Sequence, residues 1–321
     1  MTKYENQIPT SAGMSIKSLT SILRDSLRKN VERRPSGSIP VERYSHPITS
    51  EASKHPQVTW FGHSAFLLEI EAHRLLFDPM LGERPSPVSW AGTKRFSREL
   101  PMQPEDFPEL DAIVISHDHY DHLDVSSIRR LKNKTKRFIV PLGVRKRLIK
   151  WGVPADQITE HQWGDEFTFK GLTFACTPAR HFSGRGLLDR DSTLWCSWAI
   201  IGEETKVFFS GDSGYGPHFK EIGSKYGPFD LTLMECGQYD KRWSNIHMMP
   251  EETVQAHLDV GGELLIPIHW GAFTLAYHAW NEPAERVTRA ARTAHVRIAT
   301  PKIGETVVVN AQGITTRPWW R

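Results

Sequence analysis

Apolar residues follow two different rhythms along this chain. Between residues 14 and 31, Ile16, Leu19, Leu23 and Leu27 recur at helical spacing with Ile22 beside them. Lys17, Arg24, Arg28 and Lys29 occupy much of the remaining surface. This spacing predicts an amphipathic helix with a basic face. Residues 34–56 carry Pro, Ser and Gly and read as a linker or extended arm. From Val58 onward the apolar runs shorten to strand length. Runs over 66–70 and 75–78 flank Glu71-Ala72-His73, which predicts a hairpin. A second hairpin is predicted over 167–177 around Lys170-Gly171. A third joins 198–201 to 207–210 through Gly202-Glu203-Glu204-Thr205. Residues 112–116 and 138–141 read as buried strands, each followed by a helical stretch, over 125–132 and up to Lys150.

The hairpins suggest a duplication. The segment FLLEIEAHRLLFDP closes near Asp78, and SWAIIGEETKVFFSGD closes on Asp212. Each is followed by alternating strands and helices, over 112–150 and 231–267. Two such halves, with sheets inside and helices outside, predict an α/β protein of the α+β type: a four-layer αββα sandwich. Composition divides the chain into an extension over 1–55 and a main domain over 56–321.

Charge and cysteine usage narrow the classes. The formal charge of +3 over 321 residues gives no reason to expect nucleic acid. Cys176, Cys196 and Cys236 are far apart and odd in number, which predicts free thiols in a reducing compartment. The first residues lack a basic stretch followed by an apolar core, and no apolar run reaches about 18 residues. A cytoplasmic protein is expected, with peripheral membrane contact through the basic helix as the route to a bilayer.

The chemistry concentrates in Ser116-His117-Asp118-His119-Tyr120-Asp121-His122-Leu123-Asp124. Histidine and carboxylate are ligands that zinc and related divalent ions prefer. His117 and His119 are two apart and point the same way on an extended loop, while Asp121 and His122 can face a second ion. The cluster follows an apolar strand, a rigid base for a metal site. Further ligands must come from later strand ends, and His181, Asp212 and His269 each stand at one.

The pattern His-x-His-x-Asp-His followed by His, Asp and His resembles the metallo-β-lactamase superfamily, over nearly all of residues 57–310. The resemblance implies the αββα fold. It also implies one metal on His117, His119 and His181, a second on Asp121, His122 and His269, and Asp212 between them. The blocks VTWFGHSAFLLEIEAHRLLFDPM, ISHDHYDHLD, LWCSWAI, FFSGDSGYGPHFKEIGSKYGPFDL and IHWGAFTLA are similar to the N-acyl-phosphatidylethanolamine-hydrolysing phospholipase D family. That resemblance implies a phospholipid or other phosphodiester substrate, cut to phosphatidic acid and an N-acylethanolamine.

Two divalent ions, expected to be Zn2+, ionise water near neutral pH and neutralise charge on phosphoryl oxygens. Asp121 and Asp212 are therefore the expected catalytic carboxylates. His247 matches a histidine before Pro-Glu-Glu in the phospholipase family and is the candidate general acid; Ile246 departs from the polar residue usual before it. Asp78, Asp118 and Asp124 are candidates to orient ligand histidines. Tyr239, Trp243, Phe273 and Tyr277 are candidates to wall an acyl groove. The same pattern also suits a lactonase or small-molecule phosphodiesterase. An iron-dependent redox enzyme fits less well, since its relatives of this fold carry Glu at the place of His119. A homo-oligomer is compatible with the sequence.

Overall fold

The computed structural model describes residues 3–11, 20–22, 24–25, 31–44, 53, 55–88, 90–186, 188–309 and 317–321. Most of the helix expected over 14–31 lies outside them; residues 20–22 and 24–25 are helical.

Two seven-stranded sheets carry the chain. The first contains β1 (Gln57–Trp60), β2 (Phe66–Ile70), β3 (His73–Phe77), β4 (Leu110–Val114), β5 (Thr135–Pro141), β6 (Ile158–His161) and the late strand β14 (Thr306–Val308). The second contains β7 (Glu166–Phe169), β8 (Leu172–Thr177), β9 (Ser197–Ile201), β10 (Lys206–Phe209), β11 (Phe229–Glu235), β12 (Gly262–Ile268) and β13 (Arg297–Ile298). The spatial orders are β14-β1-β2-β3-β4-β5-β6 and β13-β12-β11-β10-β9-β8-β7. From β14 to β6, three antiparallel pairings are followed by three parallel ones. From β7 to β13 the series is the same. The duplication suggested by the hairpins thus extends through both sheets, and Asp78 and Asp212 follow the corresponding strands β3 and β10.

The strand sequences explain the layering. Successive side chains on a strand face opposite ways. On β3, Leu75 and Phe77 enter the core between the sheets, while Leu76 faces outward. On β10, Val207 and Phe209 point inward and Phe208 outward. Both faces are therefore apolar, as buried sheets require. Trp60, Phe66, Phe174 and Trp198 also fill the central layer. Helices α1 (Val125–Leu131) and α2 (Arg145–Lys150) cover the first sheet through Ile128, Leu131 and Leu148. Helices α3 (His218–Tyr226), α4 (Pro250–Asp259) and α5 (Glu282–Thr293) cover the second through Phe219, Ile222, Val254 and Val287.

Two hairpins turn on residue pairs with positive φ: Glu71-Ala72 at 48° and 63°, and Lys170-Gly171 at 53° and 83°. Such pairs match the twist of the strands they join. His73, expected in the first turn, instead begins β3. The arm before β1 lies against the body: Ile39 enters the central core, and Glu42 donates its backbone N–H to the Ile303 carbonyl at 2.8 Å.

Candidate metal centre

Strands β3, β4 and β5 run parallel, as do β10, β11 and β12. Two antiparallel steps turn β1 the same way as β3 and β8 the same way as β10. Their carboxyl ends make one rim, where open α/β sheets place ligands. His117, His119, Asp121 and His122 lie on the loop between β4 and α1. His181 follows β8, Asp212 follows β10 and His269 follows β12. The fold brings all seven together.

The groups converge at close range. His117 Nε2 lies 2.9 Å from His119 Nδ1, and His181 Nε2 lies 3.2 Å from the same atom. Asp121 Oδ2 lies 3.5 Å from His122 Nε2 and 4.0 Å from His269 Nε2. Asp212 stands between these two trios. Its Oδ2 is 3.1 Å from His122 Nε2 and 3.8 Å from both His117 Nε2 and His181 Nε2, and its Oδ1 is 3.1 Å from His269 Nδ1. Asp212 Oδ1 is buried and accepts no hydrogen bond.

Three imidazoles are held from outside. His122 Nδ1 donates to Asp78 Oδ2 at 2.7 Å, and Asp78 Oδ1 accepts from the Ser116 N–H at 2.8 Å. His181 Nδ1 donates to the Ile246 carbonyl at 2.9 Å, and His117 Nδ1 meets Ser116 Oγ at 2.9 Å. Each such bond fixes a tautomer and turns Nε2 into the cluster. Asp78 therefore orients a histidine. Asp118 and Asp124, expected to do likewise, bond elsewhere. Asp118 accepts from the Gly184 N–H at 2.8 Å and pairs with Arg147 at 2.6 Å. Asp124 caps α1 by accepting from the Ser127 N–H at 2.8 Å. A helix N-terminus needs such an acceptor, and that need claims the Asp124 carboxylate.

The electrostatics suit cation binding. Burial pushes the His117, His181 and His269 imidazoles well below their ordinary range and keeps their lone pairs available. Burial opposes ionisation of Asp121 and Asp212, but the adjoining His122 overrides it and holds both well below the usual carboxylate range. His122 is itself lifted well above its ordinary value, against the effect of burial, by Asp212 and Asp121. Neutral imidazoles and ionised carboxylates are the forms that bind metal, so His122 would release a proton as an ion is bound. Clusters of His63, Asp121, His122 and His269 and of His117, His119 and His181 each bring ligand atoms within 4.8 Å of one another. The donor set fits divalent metal.

Two residues of the site carried no clear sequence signal. His63 follows β1 in a turn with φ 55°, is fully buried, and donates Nε2–H to Asp121 Oδ2 at 2.8 Å. It stands after β1 as His181 stands after β8, so extending the duplication one strand earlier would have found it. Glu235, the buried last residue of β11, accepts from His247 Nδ1 at 2.8 Å. Burial pushes the Glu235 carboxyl up. His247 is raised as well, against burial, by the Glu235 carboxylate. The pair is joined by this hydrogen bond beside the cluster. The His247 ring lies 5.0 Å from that of His181 and 5.3 Å from that of His269.

Of the aromatic candidates, Phe273 meets the His63 ring edge-on at 5.4 Å. The Tyr239 hydroxyl donates to Glu282 at 2.8 Å, and Trp243 Nε1 donates to the Gln238 carbonyl at 2.9 Å. Tyr277 packs under the Arg33 and Arg242 guanidinium groups. Tyr239 and Tyr277 line a cavity of about 420 Å³ whose walls include no residue of the metal cluster.

Fold and donor set together define a metal-dependent hydrolase. A model of the beta-lactamase superfamily domain matches residues 73–270, and the chain belongs to that superfamily. An uncharacterized protein of Mycobacterium tuberculosis is 44% identical over 307 residues, covering 94% of this chain and 81% of its own. The N-acyl-phosphatidylethanolamine-hydrolyzing phospholipase D 1 of Caenorhabditis elegans is 41% identical over 229 residues, 68% of this chain and 64% of that protein. Among solved structures, the metallo hydrolase Igni18 from Ignicoccus hospitalis shares the fold, with a TM-score of 0.60 at 24% identity over 78% of this chain and 97% of its own.

Proposed function

We propose that this protein is a two-zinc phosphodiesterase that cleaves N-acyl phosphatidylethanolamine to phosphatidic acid and N-acylethanolamine. The convergence of seven ligand side chains on one rim carries the reading. The 41% identity to a worm phospholipase named for that substrate supports the choice of lipid. His117, His119 and His181 would hold one ion, Asp121, His122 and His269 the other, with Asp212 serving both. Bound there, the ions lower the pKa of a water toward about 7 and neutralise charge that develops on phosphoryl oxygens.

The chain's own groups supply the rest. Asp78, Ser116 and the Ile246 carbonyl hold the ligand imidazoles in register. His63 holds the Asp121 carboxylate from the opposite side. With Nδ1 engaged by Glu235, His247 has Nε2 left to deliver a proton to the departing ethanolamine oxygen. The lipid would be met at a bilayer surface, with the basic segment over 14–31 making peripheral contact. Among the described residues no helix is long and apolar enough to cross a membrane.

The test is a substrate panel with the zinc-loaded protein: N-acyl phosphatidylethanolamine, phosphatidylethanolamine, an acyl lactone and a generic phosphodiester. Release of phosphatidic acid from the first, lost in Asp212→Ala, is expected. Preferential turnover of the lactone would overturn the phosphodiester assignment.

A further inference from the structure

Residues 3–11 lie on the body with a two-residue alternation of burial and bend at Gln7 and Ile8. Tyr4, Asn6, Ile8 and Thr10 are half-buried, while Lys3, Glu5, Gln7 and Pro9 are exposed. This is the pattern of an edge segment docked through one face. The Tyr4 N–H donates to the Asp191 carbonyl at 2.9 Å. Arg180 anchors the other end, donating to the Pro9 carbonyl and to Thr10 Oγ1, both at 3.1 Å.

Between those anchors, Asn6 grips His181. Asn6 Nδ2 donates to the His181 carbonyl at 2.7 Å, and the His181 N–H donates to Asn6 Oδ1 at 3.1 Å. Trp195 Nε1 donates to the same Oδ1 at 3.2 Å. A carboxamide offers a donor and an acceptor side by side, as a neighbouring strand would. His181 needs such a partner because it lies four residues past the end of β8. Its ring is fixed separately, by the Ile246 carbonyl, and Asn245 before that residue donates to Ser11 Oγ at 3.4 Å. The N-terminal segment therefore bonds to the His181 backbone directly and to the residue preceding its ring support.

We propose that residues 3–11 form a strap of the metal centre and that Asn6 is a positioning residue for His181. The inference rests on His181 being a ligand, as proposed above. It assigns to the first residues of the chain a role in holding one of the two ions. A cavity of about 270 Å³ lies between the strap, His181 and Phe182.

Zinc affinity of the full chain, measured by competition with a chromophoric chelator, tests this without turnover. Asn6→Leu keeps the size of the side chain and removes all three bonds. It is expected to weaken one of the two ions about ten-fold or more, in line with losses of supporting bonds at other metal sites, and to leave the other ion unchanged. Asn6→Asp keeps the acceptor, loses the donor and should fall between; it provides the reading should Asn6→Leu not fold. Lys220→Ala, an exposed change on α3 outside the strap, should bind both ions like the parent. Parental affinity at both sites in Asn6→Leu, or an equal loss at both, would overturn the strap. A parent chain that binds no zinc would instead overturn the assignment of His181, and the strap with it.

Discussion

In the proposed mechanism His247 and Glu235 divide one task between two residues, and the proposal predicts that their roles separate kinetically. Neither stands among the residues assigned to the ions, so replacing them should spare metal content. His247→Gln is expected to lower kcat about 100-fold, the usual scale for losing a positioned acid, with two ions retained. Glu235→Gln keeps a hydrogen bond to the ring but removes the charge that favours its protonated form. It should cost less in kcat and move the alkaline limb of the pH profile to lower pH, because a general acid works only while protonated. Steady-state kinetics beside metal analysis would check both, and loss of zinc in either variant would contradict the division. At this scale the sequence was legible where residues of one chemistry cluster. His117, His119, Asp121 and His122 announce themselves within a few positions, and His181, Asp212 and His269 each end an apolar run. His63 and Glu235 did not, because a single polar residue after or within a strand has many structural explanations. Asp118 and Asp124 drew attention by proximity in sequence, yet the turn sends both carboxylates outward, to Arg147 and to the α1 N-terminus.

At the level of elements, two helices carry histidines that constrain stability. His218 begins α3 and His257 lies near the end of α4, and burial lowers each to about 4, with Arg180 adding to the effect on His218. His257 Nδ1 meets Thr232 Oγ1 at 2.7 Å and His218 Nε2 meets Ser213 Oγ at 3.1 Å, bonds compatible with neutral rings. In the unfolded chain both would titrate near 6.5. Above that pH both states are neutral and the contribution to stability is complete. As pH falls from 6.5 toward 4, the unfolded chain takes up protons that the folded one refuses. Stability then drops by up to about 1.4 kcal/mol per pH unit for each histidine. Urea denaturation at pH 7.5 and pH 5 should show this fall, and His257→Gln should flatten it; an unchanged slope in that variant would show that His257 is not the group responsible. Element positions were largely readable from apolar rhythm, as with β2, the α1 region and the Lys170-Gly171 turn. The arm before β1 was not: its Pro, Ser and Gly content signals irregular backbone, and composition alone does not tell that Ile39 is drawn into the core.

For the whole molecule, duplication is the organising fact. Two copies of one pairing series put their strand ends on a common rim, and residues as distant as His63 and His269 become neighbours, their ring centroids 4.1 Å apart. The hairpin resemblance between the halves was visible in the sequence. The face-to-face meeting of the sheets, which alone sets distances across the site, depends on central packing by Trp60, Trp198 and Phe209 that no local pattern encodes. The account stands on that meeting point being a two-ion site. Anomalous diffraction from crystals of the zinc-loaded full chain tests it most directly. Two peaks are predicted, one within the His117, His119 and His181 trio and one within the Asp121, His122 and His269 trio, with Asp212 between them. Crystals with no peak at the rim under saturating zinc, or with these side chains turned away from the bound ions, would contradict it.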